Sequence, residues 1–317
     1  MRDIALRRRA RHDGGVDTAD SAPSGVGPGS ERGEVDPDSA PSGVGPGFLG
    51  LRSALHLPTT DLPTIELPAT HHTVLLRPDR RLAAVAAVDI DGSRLVEVPR
   101  RGRWFLDPRA PTDAQTGPEV YLDNDLDRGH LVRRRDPCWG PEHVAVRASA
   151  ETFSYANAAP QVAVFNQSKA LWNGLENYLL SAADAARARL TVLTGPVLAD
   201  GDPEYRGSAV PRAFWKVAAW AGSDGRLAAT GYLLDQGGLL ERFLARAEGA
   251  AAAAAAPGTE PTIGAFRTYQ VTVGSLAELT GLDLGPLPGA DRLGTRAQTL
   301  AGDRLKLRGY EDVVLRA

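Results

Sequence analysis

Two apolar runs, residues 73–76 and 82–90, flank the polar stretch Arg77-Pro78-Asp79-Arg80, a pattern that predicts two strands joined as a β-hairpin. Asp91-Gly92 closes the second run as a turn. Over residues 168–189 the period changes. Leu171, Leu175, Leu179, Ala182 and Ala186 recur at helical spacing, which assigns Lys169, Asn173, Glu176 and Asn177 to the polar side. Residues 190–193 read as a buried strand stopped by Gly195-Pro196, and residues 214–221 and 227–234 as a second hairpin around Ser223-Asp224-Gly225. Gly237-Gly238 break the chain before a short helix at 239–248. Strands in pairs with helices between them predict an α+β fold rather than a doubly wound sheet.

The first 47 residues lack this texture. Residues 20–29 read DSAPSGVGPG, and residues 38–47 repeat them letter for letter. A stretch with so few large apolar side chains cannot offset the entropy of being ordered. Residues 1–47 are therefore expected to be a disordered tail, and residues 48–317 one folded domain. The arginines of the first twelve residues are expected to be solvated, and no apolar segment of a secretory signal follows them. Seven alanines at 250–256, closed by Pro257-Gly258, suggest a surface insertion with frayed helical character.

Composition narrows the classes of function. The chain has 317 residues, 43% of them hydrophobic, enough to bury a substantial core. Its 36 basic and 39 acidic residues give a formal charge of -3, which excludes a histone-like polycation but allows a local basic groove. Cys138 is the one cysteine, so neither a disulfide framework nor a multi-cysteine zinc site can form within one chain. No apolar run approaches the roughly 20 residues that a spanning helix needs. The expectation is a soluble, cytoplasmic protein without a membrane partner.

Candidate chemistry concentrates in two segments. Residues 123–140, DNDLDRGHLVRRRDPCWG, bring together Asp127, Arg128, Gly129 and His130. A histidine near neutral pKa can take a proton from water, and an adjacent arginine can hold an anion. Gly129 is read as letting the backbone turn so that both side chains face one site. Residues 153–176, FSYANAAPQVAVFNQSKALWNGLE, place Asn157, Asn166 and Glu176 before or within the strongest helix. Asn166 offers a neutral oxygen to a hard cation, and Glu176 a carboxylate that can hold water in its shell.

Together these segments resemble the DNA/RNA non-specific endonucleases, the ββα-metal nucleases. Trp104 with Asp107-Pro108, Asp136 with Trp139-Gly140, Thr194-Gly195-Pro196 and the run from Pro211 to Lys216 extend the resemblance. Tyr269-Gln270-Val271 and Leu279-Thr280-Gly281-Leu282 carry it to the C-terminal region. It implies a central antiparallel sheet flanked by helices and hydrolysis of phosphodiester bonds in both DNA and RNA. His130 matches the general base, Asn166 the one side chain that binds the metal, and Glu176 the carboxylate that orients metal-bound water. Arg128 matches an arginine beside the site. The implied cofactor is Mg²⁺, with Mn²⁺ as its substitute; the implied partners are DNA and RNA, an inhibitor protein and a second copy of the chain.

Two intervals depart from the family. The spacing from Asn166 to Glu176 is longer by two residues, which in one continuous helix would rotate one side chain against the other by about 200°. Asn166 is accordingly expected in a loop, with the helix starting near Ser168, and Asn173, one turn before Glu176, is its rival as ligand. The second departure concerns an arginine near Trp104 that the family uses on the phosphate: Arg101 and Arg103 are the candidates, though neither has the family's offset. Arg133 and Arg134 are further candidates for the phosphate backbone, against the plainer reading of Arg133-Arg134-Arg135 as a solvated charge run. Two other functions stay open: a nucleic-acid-binding relative without the chemistry, and a phosphodiesterase of small nucleotides.

Overall fold

Ten consecutive residues, Leu82–Asp91, are all buried. A strand can bury both rows of side chains only where its sheet is covered on both faces. In the computed structural model, which describes residues 43–168, 172–249, 267–293 and 304–307, that strand lies inside an eight-stranded sheet. The strands are β1 (Ile65–Ala69), β2 (His72–Arg77), β3 (Leu82–Asp91), β4 (Leu126–His130), β5 (Ala158–Val162), β6 (Arg189–Val197), β7 (Glu204–Tyr205), β8 (Ser208–Ala209), β9 (Ala213–Ala221), β10 (Leu227–Asp235), β11 (Arg267–Val271) and β12 (Arg304–Lys306). The large sheet runs β1-β2-β3-β6-β9-β10-β11-β12, and every neighbouring pair is antiparallel. Both predicted hairpins are present, as β2–β3 and β9–β10.

The two faces carry separate cores. Val88 and Ile90 of β3, Val192 of β6 and Phe214 and Ala218 of β9 pack on one side, beneath Leu175 and Leu179. Val85, Leu193, Trp215 and Val217 face the other, where Val273, Leu276, Leu282 and Leu287 cover them. The helices are α1 (Glu142–Glu151), α2 (Ala163–Gln167), α3 (Trp172–Ala186), α4 (Gly237–Ala247) and α5 (Val273–Thr280). In α3, Trp172, Leu175, Glu176, Leu179, Leu180 and Ala183 are buried, at the spacing of one helical face. Glu176 thus belongs to the buried face and not to the polar one expected for it, and Ala186 is exposed.

Two predicted breaks are not breaks. Strand β6 continues through Gly195-Pro196, where a Cβ on Gly195 would meet the Ala84 carbonyl oxygen at 2.4 Å. The glycine serves close strand packing there and does not end the strand. Gly237 and Gly238 form the first turn of α4, after Gln236.

The described chain starts within the second decapeptide, and this stretch is tied to the sheet. Gly43 donates to the Ala69 carbonyl at 3.1 Å, Val44 to Thr73 Oγ1 at 3.2 Å and Gly45 to Asp89 Oδ2 at 2.7 Å. Residues 43–47, which composition assigns to the tail, therefore make sheet contacts. The first decapeptide, the arginine-rich start, Leu171 and the alanine run lie outside the described residues.

The site is built on a smaller unit. Strands β4 and β5 pair antiparallel, with Gly129 opposite Ala159 and His130 opposite Ala158, and α2 and α3 follow β5. This is the ββα arrangement. Gln236 locks it to the large sheet: its Oε1 accepts from Val162 N at 2.9 Å, and its Nε2 donates to the Pro211 carbonyl at 2.7 Å. Among the described residues no helix is long and apolar enough to cross a membrane.

Candidate active site

Strand alternation puts Arg128 and His130, two residues apart on β4, on the same face. No turn at Gly129 is needed. A Cβ there would lie 2.2 Å from the Gln161 side chain, so glycine is required because the buried Gln161 crosses directly behind the strand. Just past His130 the chain is clamped by Asn157. Its Oδ1 accepts from Val132 N at 2.9 Å, and its Nδ2 donates to the Val132 and Thr152 carbonyls, each at 2.9 Å.

The His130 ring sits in an aromatic corner, 4.7 Å from Trp104 and 5.1 Å from Phe153 between ring centroids. Desolvation in this half-buried position is the largest influence on its pKa. Positive charge from Arg100 and Arg134 adds to it, and the imidazole is held down at about 3. The ring is therefore neutral at physiological pH, and its Nε2 has no hydrogen-bond partner among the described residues. Arg128 is exposed, with its guanidinium 5.6 Å from the Trp104 centroid and 5.9 Å from that of Tyr121. No carboxylate lies within ion-pair distance of it among the described residues.

Asn166 lies in α2, a helix of its own, and not in a loop. Asn166 and Glu176 thus lie on two different helices, so a single-helix rotation does not apply. Asn166 Nδ2 donates to Asp127 Oδ2 at 2.9 Å, and Gln167 Nε2 donates to the same oxygen at 2.9 Å. With its nitrogen committed to Asp127, the Asn166 amide turns its oxygen away from that carboxylate. Asn173 differs: its Oδ1 accepts from Asn177 Nδ2 at 3.1 Å and from Arg133 Nη2 at 3.5 Å, so its oxygen is already engaged.

Glu176 enters from α3, 7% exposed, with Lys216 Nζ at 3.4 Å and Arg133 Nε at 3.8 Å. Burial raises its pKa, while Lys216 and Arg133 pull it down. Asp136, also buried, is pushed up to about 7 by desolvation and by Glu176. Lys216 is lowered by burial, against the opposing pull of Glu176 and Asp136.

Apart from Asp136 and Lys216, which lie behind it, these side chains share one polar cleft of about 520 Å³, lined by Arg100, Trp104, Asp127, Arg128, His130, Arg133, Arg134, Arg135, Asn166, Gln167, Trp172, Asn173 and Glu176. Arg101 and Arg103 are exposed and not among its lining residues. The arginine that reaches the His130 corner is Arg100, whose guanidinium lies 5.8 Å from the Phe153 centroid. Arg133 and Arg134 line the cleft, the latter donating to the Val98 carbonyl at 3.0 Å. Sequence reasoning missed Arg100, Asp127 as partner of Asn166, and the grouping of Asp136 with Lys216. Only Lys216 carried a legible signal: one lysine inside a nine-residue strand that is otherwise apolar.

The family model for DNA/RNA non-specific endonucleases matches residues 53–289. An uncharacterized protein, y4fB, of Sinorhizobium fredii is 43% identical over 175 residues, 52% of this chain and 26% of that protein. The chain thus spans about a quarter of the length of that relative. A chain in the crystal structure of the EndoG/EndoGI complex shares the fold, with a TM-score of 0.50 and 19% identity over 68% of this chain and 84% of that one. The matched span encloses every residue placed around the cleft, from Arg100 to Lys216, and the chain belongs to the DNA/RNA non-specific endonuclease family.

Proposed function

We propose that the chain is a Mg²⁺-dependent, sugar-non-specific endonuclease that hydrolyses phosphodiester bonds of DNA and RNA, with His130 as general base. The observation that carries this reading is the neutral His130 ring at the wall of a cleft lined by Arg100, Arg128, Arg133, Arg134 and Arg135. That charge suits the path of a nucleic-acid backbone. A phosphate entering the cleft opposes the arginines and raises the imidazole from about 3 toward the working range of a base.

The donor set fits a hard cation. Asn166 supplies an amide oxygen, Asp127 holds that amide in place, and the Glu176 carboxylate at the same cleft can orient water in the cation's shell. Among the described residues no three His, Cys, Asp or Glu side chains converge on one point. Mg²⁺ is commonly held in this way, by one or two protein oxygens with water and phosphate completing the shell. When bound, the cation supplies charge neutralisation at the phosphate and the departing oxygen.

The protein's own contribution is positional. The His130 imidazole takes the proton of a water aimed in line at phosphorus, the bond to the 3′ oxygen breaks, and a 5′-phosphate remains. Arg128 and Arg100 hold the phosphate and stabilise its added charge in the transition state. Asp127 fixes the direction of the Asn166 amide, and Glu176 orders water beside it. DNA and RNA are the partners of this reading; an inhibitor protein and a second copy of the chain are the next to test, by co-purification and by light scattering.

The test is cleavage of linear DNA, circular DNA and RNA by the purified protein, with Mg²⁺, Mn²⁺ or EDTA. The expected result is metal-dependent cutting of all three. Binding without cutting would identify an inactive relative. Cleavage of bis-p-nitrophenyl phosphate uninhibited by long DNA would identify a phosphodiesterase of small nucleotides.

A further inference from the structure

Lys216 is the one charged residue of β9, and it is 1% exposed. Its neighbours in the same row of side chains, Phe214, Ala218 and Trp220, are apolar core. A buried ammonium is costly unless it is fully engaged, so its contacts indicate what it is for. One comes from the sheet and the others lead toward the cleft. Nζ lies 2.9 Å from Thr194 Oγ1, its direct cross-strand neighbour on β6. It lies 3.4 Å from the carbonyl of Leu131, the residue after His130, and 3.4 Å from Glu176 Oε1. It stands 4.3 Å from the centroid of Trp172, which lines the cleft.

We propose that Lys216 is a positioning residue for the active site, a cation supplied by the central sheet that aims the Glu176 carboxylate into the cleft and ties it to the main chain behind His130. The inference rests on the nuclease reading above and adds to it a residue outside the cleft lining. Sheet and cleft meet at this side chain: Thr194 Oγ1 accepts from the ammonium on the sheet side, the Leu131 carbonyl accepts on the other, and Glu176 faces it as an ion-pair partner. The other charges facing Glu176 are Arg133 at 3.8 Å and the buried Asp136. Arg133 is shared with Asn177, to which it donates at 2.7 Å, so Lys216 is the cation most committed to the carboxylate. Its loss leaves a buried carboxyl beside Asp136 with only Arg133 and Trp172 as partners, and the proton affinity of that carboxyl rises.

The test uses full-length K216M and K216R. For K216M the far-UV circular dichroism is expected to match the wild type. Its kcat falls by about 10–100-fold, as for the loss of groups that orient a metal site, while KM changes by less than about threefold. The titration midpoint of the Glu176 carboxyl carbon, read by ¹³C NMR without metal or substrate, moves upward, and the acidic limb of the kcat profile moves with it. K216R returns the midpoint toward wild type and recovers part of the rate. A K216M protein with wild-type kcat and an unmoved midpoint overturns the proposal. So does one that melts earlier while keeping both, since that lysine would only support the sheet. If K216M does not fold, T194V, which removes one hydrogen bond from the ammonium, is read in the same way; unchanged kcat and midpoint again overturn it. Should the wild type cut no nucleic acid, the nuclease reading falls, and the Glu176 midpoint still decides whether Lys216 governs that carboxyl.

Discussion

Strand β9 presents two rows of side chains that share one backbone and have opposite uses. On one face Trp215, Val217 and Ala219 meet Leu233, Leu276 and other apolar groups, and packing accounts for all three. On the other, Phe214, Ala218 and Trp220 are equally apolar, but Lys216 interrupts them to meet Glu176. Both rows are buried. Burial by itself therefore does not separate framework from site; what does is whether a costly buried group finds partners that lead to the cleft. The face beneath α3 holds core and the proposed site together, whereas the face beneath α5 holds core alone.

The sharpest way to break this division is on the chemical side. His130→Ala is expected to lower cleavage by about 10²–10⁴-fold, the usual loss for a general base, with the melting temperature almost unchanged. Initial rates on plasmid DNA beside a thermal melt check it. A variant with wild-type turnover would remove His130 from the mechanism.

On the other face, Trp215→Ala should cost about 3–5 kcal/mol of stability through the cavity it leaves. Below its melting temperature it should cut at close to the wild-type rate. Denaturant unfolding together with a rate at low temperature measures both; a rate loss as deep as that of His130→Ala would erase the distinction between the faces.

Asn166→Ala should raise the Mg²⁺ concentration needed for half-maximal rate by about tenfold or more, whereas Asn173→Ala, whose oxygen is already engaged with Asn177, should leave it nearly unchanged. Magnesium titrations of the two variants decide between the ligands. The reverse ranking would move the metal site to Asn173 at the start of α3.

The smallest effect is expected for Arg101→Ala and Arg103→Ala, both outside the cleft lining. Their KM for DNA at moderate salt should stay within about twofold, the range of a screened surface charge. Arg100→Ala should weaken binding more than either.

Local pattern made much of the molecule legible. Alternating and continuous apolar runs marked β2, β3, β9 and β10, because a covered sheet needs apolar side chains on both rows. The segment from Asp127 to His130 is a weak signal taken alone, and it became legible as a candidate site only through the family resemblance that pairs it with the segment ending at Glu176. Less legible was anything that depends on what lies behind a residue. Gly129 reads as a turn, yet it is required by Gln161, thirty-two positions later in the chain. Gly195-Pro196 reads as a stop, yet the strand continues because Ala84 approaches the glycine from β3.

By itself the sequence determined the α+β class, the two hairpins, the helix that carries Glu176 and the family, since each depends on residues close together in the chain or on a pattern of residue types. Only the tertiary structure decided that Arg100 rather than Arg101 or Arg103 reaches the His130 corner, because that depends on how an irregular segment lies across Phe153. It alone turned Glu176 inward and set Lys216 against it, forty residues away in the chain and 3.4 Å away in space. Periodicity ranks a glutamate as polar and a strand lysine as an anomaly. The two are explained only together, because a buried charge is tolerable where an opposite charge on another element meets it.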